Sequence, residues 1–309
     1  MNKELPPKIE GNPGEDPEWT YCHHAVAFLD LMGQRQIFND LPGVPDNEVD
    51  NARLIEKIRD TVGYIGIFRK GFSDMFGALQ SDRKIPEQVP VEFYSEWRRM
   101  QKTEIHLQSV SDAVIAWTPI RPVDEPGMAQ AMNGLWGILM TAAGMTLQAL
   151  AAKHPLRGGI DLDGGITIDP GGNEIYGRAL NCAYELESIQ AKSPRILIGP
   201  GVIAFLETIE TDSEGTRCMA YAKKLVDRCR GLITNDEDGK PMLHFLGASA
   251  REVVNLPEFR AVGIDGAHKF IKDSAEKFKD DQKLGPRYAL LLRYFEKNIR
   301  DWDWRKAVR

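Results

Sequence analysis

Two aspartates stand where this sequence could hold a cation. Asp30 closes the apolar run His24–Leu31 (HAVAFLDL). A carboxylate at the end of a buried strand is desolvated, so it must be paired or bound to a cation. Asp112 stands in a second pattern, Thr103–Trp117, where Ile105, Leu107 and Ser109 alternate before Val110-Ser111-Asp112 and Val114 and Ala116 after it. That is a hairpin with an acid at its tip. Each acid has an ordinary reading, Asp30 as the cap of a following helix and Asp112 as a turn residue. Taken together they say more. If the strand ending at Asp30 pairs beside the hairpin, both carboxylates point at one spot, and either one stays protonated or a divalent cation resolves the repulsion. Such a centre suits phosphoryl transfer. Beside it, the Met32-Gly33-Gln34 turn offers backbone N–H groups to a polyphosphate.

A third stretch, Leu156–Glu187 (LRGGIDLDGGITIDPGGNEIYGRALNCAYELE), changes period midway. Ile160, Leu162, Ile166 and Ile168 alternate among glycines that let another backbone come close, a strand or hairpin pattern. After Tyr176-Gly177, residues Ala179, Leu180, Ala183, Tyr184 and Leu186 fall at helical spacing. Asn181 is then a polar residue within the first turns of a helix, with Arg178 one turn earlier. A strand feeding a glycine-rich turn and such a helix is a place to hold a phosphate.

The elements that must position these groups follow the order β-α-β-β-α-β-α-β and more. Residues 48–81 carry a long helical pattern through Ile55, Ile58, Val62, Ile65, Phe68, Phe76 and Leu79, with Gly63, Gly66 and Gly71 as points of kinking. Residues 127–153 predict another helix. Its segment Gly134–Ala152 is uncharged over nearly a membrane span, but Gln148, two threonines and the lack of a flanking basic cluster predict burial against a sheet. Arg195–Ile198 reads as a strand, Gly199-Pro200 as a helix start and residues 215–229 as a helix. Gly231–Thr234 and Met242–Leu246 read as strands around a DEDGK turn, and residues 264–301 as two helices. The sum is an α/β sandwich with a mixed or antiparallel sheet.

Composition bounds the partners. Hydrophobic content of 42% and charged content of 27% are those of a soluble globular protein. A net charge of −6 argues against non-specific nucleic-acid binding. Cys22, Cys182, Cys218 and Cys229 show no CxxC spacing, which predicts reduced cytoplasmic thiols rather than zinc or disulfides. The N-terminal 19 residues are polar and proline-rich, an expected flexible arm without an apolar secretion core. His23 and His24 beside Cys22 face opposite ways on a strand and predict no metal site. Lys192-Ser193 is a candidate phosphate contact, with an exposed lysine after a helix as its ordinary reading, and Trp302 and Trp304 read as packing or dimer contacts.

The set FLDLMG (28–33), SVSDAVI (109–115), RGGI (157–160) and YGRALNCAYELE (176–187) resembles, in order and spacing, the catalytic domain of class III nucleotidyl cyclases. Its RGGI and YGRALNCAYELE versions resemble most the pyrimidine cyclases of the Pycsar antiphage systems. The resemblance spans roughly residues 22–250. It implies a ferredoxin-like cyclase core over 20–255, elaborated by extra helices, with a C-terminal helical extension over 256–309.

It further implies that Asp30, Asp112 and the Leu31 carbonyl hold Mg²⁺ or Mn²⁺, two ions per site, and that Asn181 orients the ribose or triphosphate. Gln108 and Glu174 occupy the two base-selecting positions, and match neither the Lys/Asp pair of adenylate cyclases nor the Glu/Cys pair of guanylate cyclases. A pyrimidine base is then expected, UTP before CTP, with Tyr176 stacking on it. Glu185 stands where purine cyclases place a transition-state arginine, so either Arg157, Arg178 or another arginine supplies that charge or turnover is slow. The implied assembly is a head-to-tail homodimer with composite sites, bound to neither nucleic acid nor membrane, signalling to a separate cyclic-nucleotide-activated effector. Two other functions are carried beside it: a weakly active cyclase-like nucleotide sensor, and an unrelated Mg²⁺-dependent phosphohydrolase.

Overall fold

The computed structural model describes residues 9–10, 19–34, 47–80, 89–121, 124–168, 174–212, 216–253, 263–300 and 302, with isolated positions at 39, 43–45, 85 and 87. Strand β1 (Ile9–Glu10) pairs with β2 (Trp19–Leu31). A long helix follows as α1 (Glu48–Ile58) and α2 (Tyr64–Gln80), joined by a π-helical turn over Arg59–Gly63, close to the expected kink. The chain continues through α3 (Tyr94–Gln101), the hairpin β3 (His106–Val110) and β4 (Ala113–Ile120), and the buried helix α4 (Glu125–Ala151). Next come β5 (Leu156–Ile168), β6 (Ile175–Gly177), α5 (Arg178–Glu185), β7 (Ile196–Ile198), α6 (Pro200–Thr211) and α7 (Arg217–Arg230). Strands β8 (Ile233–Asn235) and β9 (Pro241–Leu243) then lead to α8 (Ala248–Val253), α9 (Asp265–Lys277) and α10 (Leu284–Ile299).

The strands form one mixed sheet in the order β3-β4-β2-β5-β7-β9-β8, with β1 on β2 and β6 on β5. Its first four strands are antiparallel neighbours, the β-α-β-β-α-β arrangement of a ferredoxin-like fold. Among the described residues, only β5 and β7 pair in parallel. The sheet has two working faces. Ala25, Ala27 and Leu29 of β2 point to the side covered by α4, while Val26 points to a smaller cluster with Ile115, Trp117, Ala179 and Ala183 beneath α5. The period-2 alternation of a strand therefore puts Asp30 on the α5 face.

Helix α4 is apolar on all sides because it is buried on all sides, with 89% of its most apolar window inside the fold. Ala267, Ile271, Leu291, Phe295 and Trp302 join the same cluster, so the C-terminal helices pack on this core. The indole of Trp302 donates to the Leu246 carbonyl at 2.7 Å.

Three expectations change. The strand before Asp30 begins at Trp19 rather than His24, since its polar first half stays paired to β5 as far as Ile168. Of the expected N-terminal arm, Ile9–Glu10 and Trp19 are strand; its remainder, like Trp304, lies outside the described residues. Strand β4 runs past Trp117 through Pro119. A proline is tolerated there because β3 pairs with β4 only as far as Trp117, leaving that side of β4 without a partner.

Candidate active site

The last β2–β4 pair sets Asp30 opposite Ala113, the residue after Asp112. The two acids expected to converge are thus neighbours at one end of the sheet. Their turn is held from behind: Arg69 of α2 donates from Nη2 to the Ser111 carbonyl at 2.8 Å, and Ser111 takes a left-handed φ of 55°. Beyond Asp30, Leu31 pairs only with Leu156 of β5, so the backbone there is open on the β4 side.

On the other flank, Arg157 faces Asp30 across the β2–β5 ladder, with Nη2 3.3 Å from Asp30 Oδ2. The same nitrogen binds the Glu187 carboxylate, which is only 3% exposed. Asp30 and Glu187 therefore share one guanidinium, and the charge of Asp112 acts on both acids. Burial, then the charges of Asp112 and Glu187, push the Asp30 carboxyl up to about 6 against the pull of Arg157. Burial also raises Glu187, opposed by Arg157.

Glu187 was not among the expected site residues, although its position is legible. Ala179, Ala183 and Glu187 follow at intervals of four, so the glutamate continues the stripe that α5 turns to the sheet.

The turn after Asp30 is partly committed. Met32 donates its N–H to the Pro155 carbonyl at 2.9 Å, which removes it from the expected phosphate-binding set. Gln34 is buried with its amide nitrogen 3.1 Å from His154 Nδ1. Gly33, at φ 91°, and Gln34 keep backbone N–H groups that make no hydrogen bond among the described residues.

The base-selecting candidates also meet. Gln108 Oε1 accepts from the Ile175 N–H at 3.4 Å, which brings it against β6 beside Glu174. The Tyr176 hydroxyl donates to Glu174, and Tyr176 is 45% exposed. Helix α5 starts directly after Gly177, whose φ of 104° suits glycine. Arg178 sits 3.3 Å from Asp163 but is largely exposed. Asn181, one turn on, is exposed and makes no hydrogen bond among the described residues. The single chain therefore divides the expected set in two: Asp30, Asp112 and Arg157 in one cluster, which Glu187 joins, and Arg178 and Asn181 on an outward surface.

Among the described residues no three His, Cys, Asp or Glu side chains are gathered to hold a metal ion. The Asp30–Asp112 pair still fits one. It is a hard oxygen donor set with an open backbone carbonyl beside it, and burial, then the neighbouring carboxylates, raise the Asp30 carboxyl above the usual range. A cation there removes the conflict that raises Asp30.

No family model matches the chain, and no curated protein matches it. Among solved structures it is similar to the catalytic core of a rhodopsin-guanylyl cyclase with converted specificity in complex with ATPαS. The two are 14% identical, covering 62% of this chain and 84% of that one, with a TM-score of 0.32. So slight a likeness leaves the chemistry to rest on the residues themselves.

Proposed function

We propose that the chain cyclises a pyrimidine nucleoside triphosphate, UTP before CTP, to its 3′,5′-cyclic monophosphate as a cytoplasmic antiphage signal. The observation that carries the reaction is the convergence of Asp30 at the end of β2 with Asp112 in the β3–β4 turn, a carboxylate pair short of positive charge. The choice of pyrimidine and the antiphage role rest on the resemblance of RGGI and YGRALNCAYELE, with Gln108 and Glu174 gathered at β6 in support.

In this reading Asp30, Asp112 and the Leu31 carbonyl hold Mg²⁺ or Mn²⁺. The bound cation supplies charge neutralisation at the triphosphate and a lowered pKa for the ribose 3′-hydroxyl. The 3′-oxygen attacks the α-phosphorus, the bond to the β-phosphate oxygen breaks, pyrophosphate leaves and the hydroxyl proton passes to water. Glu187 fixes Arg157 beside Asp30, so that a positive group already faces the reacting end of the site. The N–H groups of Gly33 and Gln34 receive phosphate oxygens. Arg178 and Asn181 lie on a separate outward surface, which suits a homodimer in which each subunit completes its partner's site. Because Glu185 leaves the usual arginine position negative, Arg178 is the exposed cation nearest Asn181 along α5.

The test is incubation of the purified protein with ATP, GTP, CTP and UTP in turn, with Mn²⁺, and identification of products by mass. A cyclic pyrimidine monophosphate that disappears in Asp30→Ala is the expected result. A cyclic purine product would sink the base assignment and keep the reaction. A nucleoside mono- or diphosphate would identify a phosphohydrolase. No turnover with any triphosphate would favour a nucleotide sensor, the reading to which Glu185 already leans. Asn181→Ala is expected to lower kcat by two orders of magnitude or so with little change in KM, as a group that acts in the transition state does. An effect confined to KM would contradict that role.

A further inference from the structure

On the side of the sheet covered by α4, helices α3 and α7 both pack on α4 and leave a groove of about 560 Å³. Its chemistry is set by one face of α7. Arg217, Tyr221, Lys224 and Arg228 follow at spacings of four, three and four, so they share a stripe. The neighbouring stripe, through Cys218, Ala222, Leu225 and Cys229, is buried in the core. Across the groove, α3 and the turn before it supply Phe93 and Trp97.

The aromatic groups form a floor. The Trp97 and Tyr221 rings lie 5.2 Å apart, tilted by 58°. The Arg217 guanidinium sits 5.8 Å from the Phe93 ring centre, and Arg228 5.9 Å from that of Trp136. Neither Arg217 nor Lys224 is in an ion pair among the described residues. Among the described residues Asp227 is the one acid in the lining, against three cations. In a chain of net charge −6, that local excess runs against the average.

A volume of this size suits a small molecule. Aromatic faces take a flat ring, and unpaired arginine and lysine take an anion. The basic stripe runs from Arg217 to Arg228, roughly 16 Å of helix, which is the reach of one nucleotide and its phosphates rather than of a strand. We propose that this groove is a second ligand site for a nucleoside phosphate, separate from the carboxylate centre and independent of what that centre catalyses.

The wild-type protein would be titrated calorimetrically in EDTA with UMP, CMP, AMP and GMP, alongside Arg217→Ala/Lys224→Ala and Asp30→Asn. The expected result is saturable binding of at least one monophosphate, one per chain, weakened roughly tenfold or more by the double variant and unchanged by Asp30→Asn. Far-ultraviolet circular dichroism checks that the double variant is folded, and Arg217→Lys should keep most of the affinity. Saturable binding that the double variant leaves intact overturns the proposal. So does binding lost in Asp30→Asn, or none by any of the four at millimolar concentration. Preference for a single-stranded oligoribonucleotide over every monophosphate would overturn the small-ligand assignment in favour of a strand.

Discussion

Asp112→Asn is expected to abolish metal-dependent turnover and, in EDTA, to raise the melting temperature. The two effects have one cause. Asp30 is pushed from 3.8 up to about 6 by burial, then by Asp112 and Glu187. A carboxyl whose folded pKa lies above its unfolded value favours the protonated folded state. Metal-free stability therefore falls as pH rises from about 4 through about 6 and is flat beyond. The whole penalty at pH 8 is at most about 3 kcal/mol. Removing the Asp112 charge takes away the second-largest cause and should return about 1 kcal/mol, or roughly 1–2 °C.

With Mn²⁺ the order reverses. The wild-type protein gains stability by binding the ion in the folded state alone, and the variant does not. Thermal melts at pH 5 and pH 8, with EDTA and with Mn²⁺, separate these contributions. A variant that melts lower in EDTA, or keeps its Mn²⁺ response, would show that the two carboxylates do not share a site.

The parts of this centre legible in the sequence are those that local rules fix. A hairpin turn at Ser111-Asp112 and an apolar strand ending at Asp30 need only period-2 alternation and turn chemistry, and both stand in the fold. What local rules omit is the partner. The Ala179–Ala183 stripe carries Glu187 toward the sheet, but the reason a charged residue stays buried there is Arg157, on a strand thirty residues earlier. Gln34 likewise turns inward because His154, stacked on Tyr64 with centroids 4.0 Å apart, presents it a nitrogen. The extension of β2 back to Trp19 is written in its pairing to β5 rather than in its own hydrophobicity. The placement of Asn181 follows the helical period faithfully, since Ala179 and Ala183 take the sheet side and leave it outside.

Gly159→Ala is expected to harm both stability and turnover, because it acts on the contact that seats α5. A β-carbon at Gly159 would lie 2.3 Å from the Ala183 carbonyl oxygen and 2.4 Å from Leu186 Cβ. Both distances are far inside van der Waals contact, and both neighbours are backbone or the first side-chain atom, so neither can rotate away. The helix must move off the strand. Overpacking of this kind costs about 2 kcal/mol or more, which is roughly 3 °C or more for a chain of this size.

The movement reaches the site because Glu187 continues the same stripe as Ala183. Displacing it loosens the grip on Arg157, and with it the charge beside Asp30. Turnover should therefore fall well beyond the fraction unfolded at the assay temperature, while Asp112, tied to Arg69 through the Ser111 turn, is untouched. Glu187→Gln, which keeps the packing and removes the charge, should reproduce the kinetic loss without the thermal one. Turnover in Gly159→Ala that tracks only the folded fraction would separate α5 from the chemistry and leave the glycine a purely architectural role.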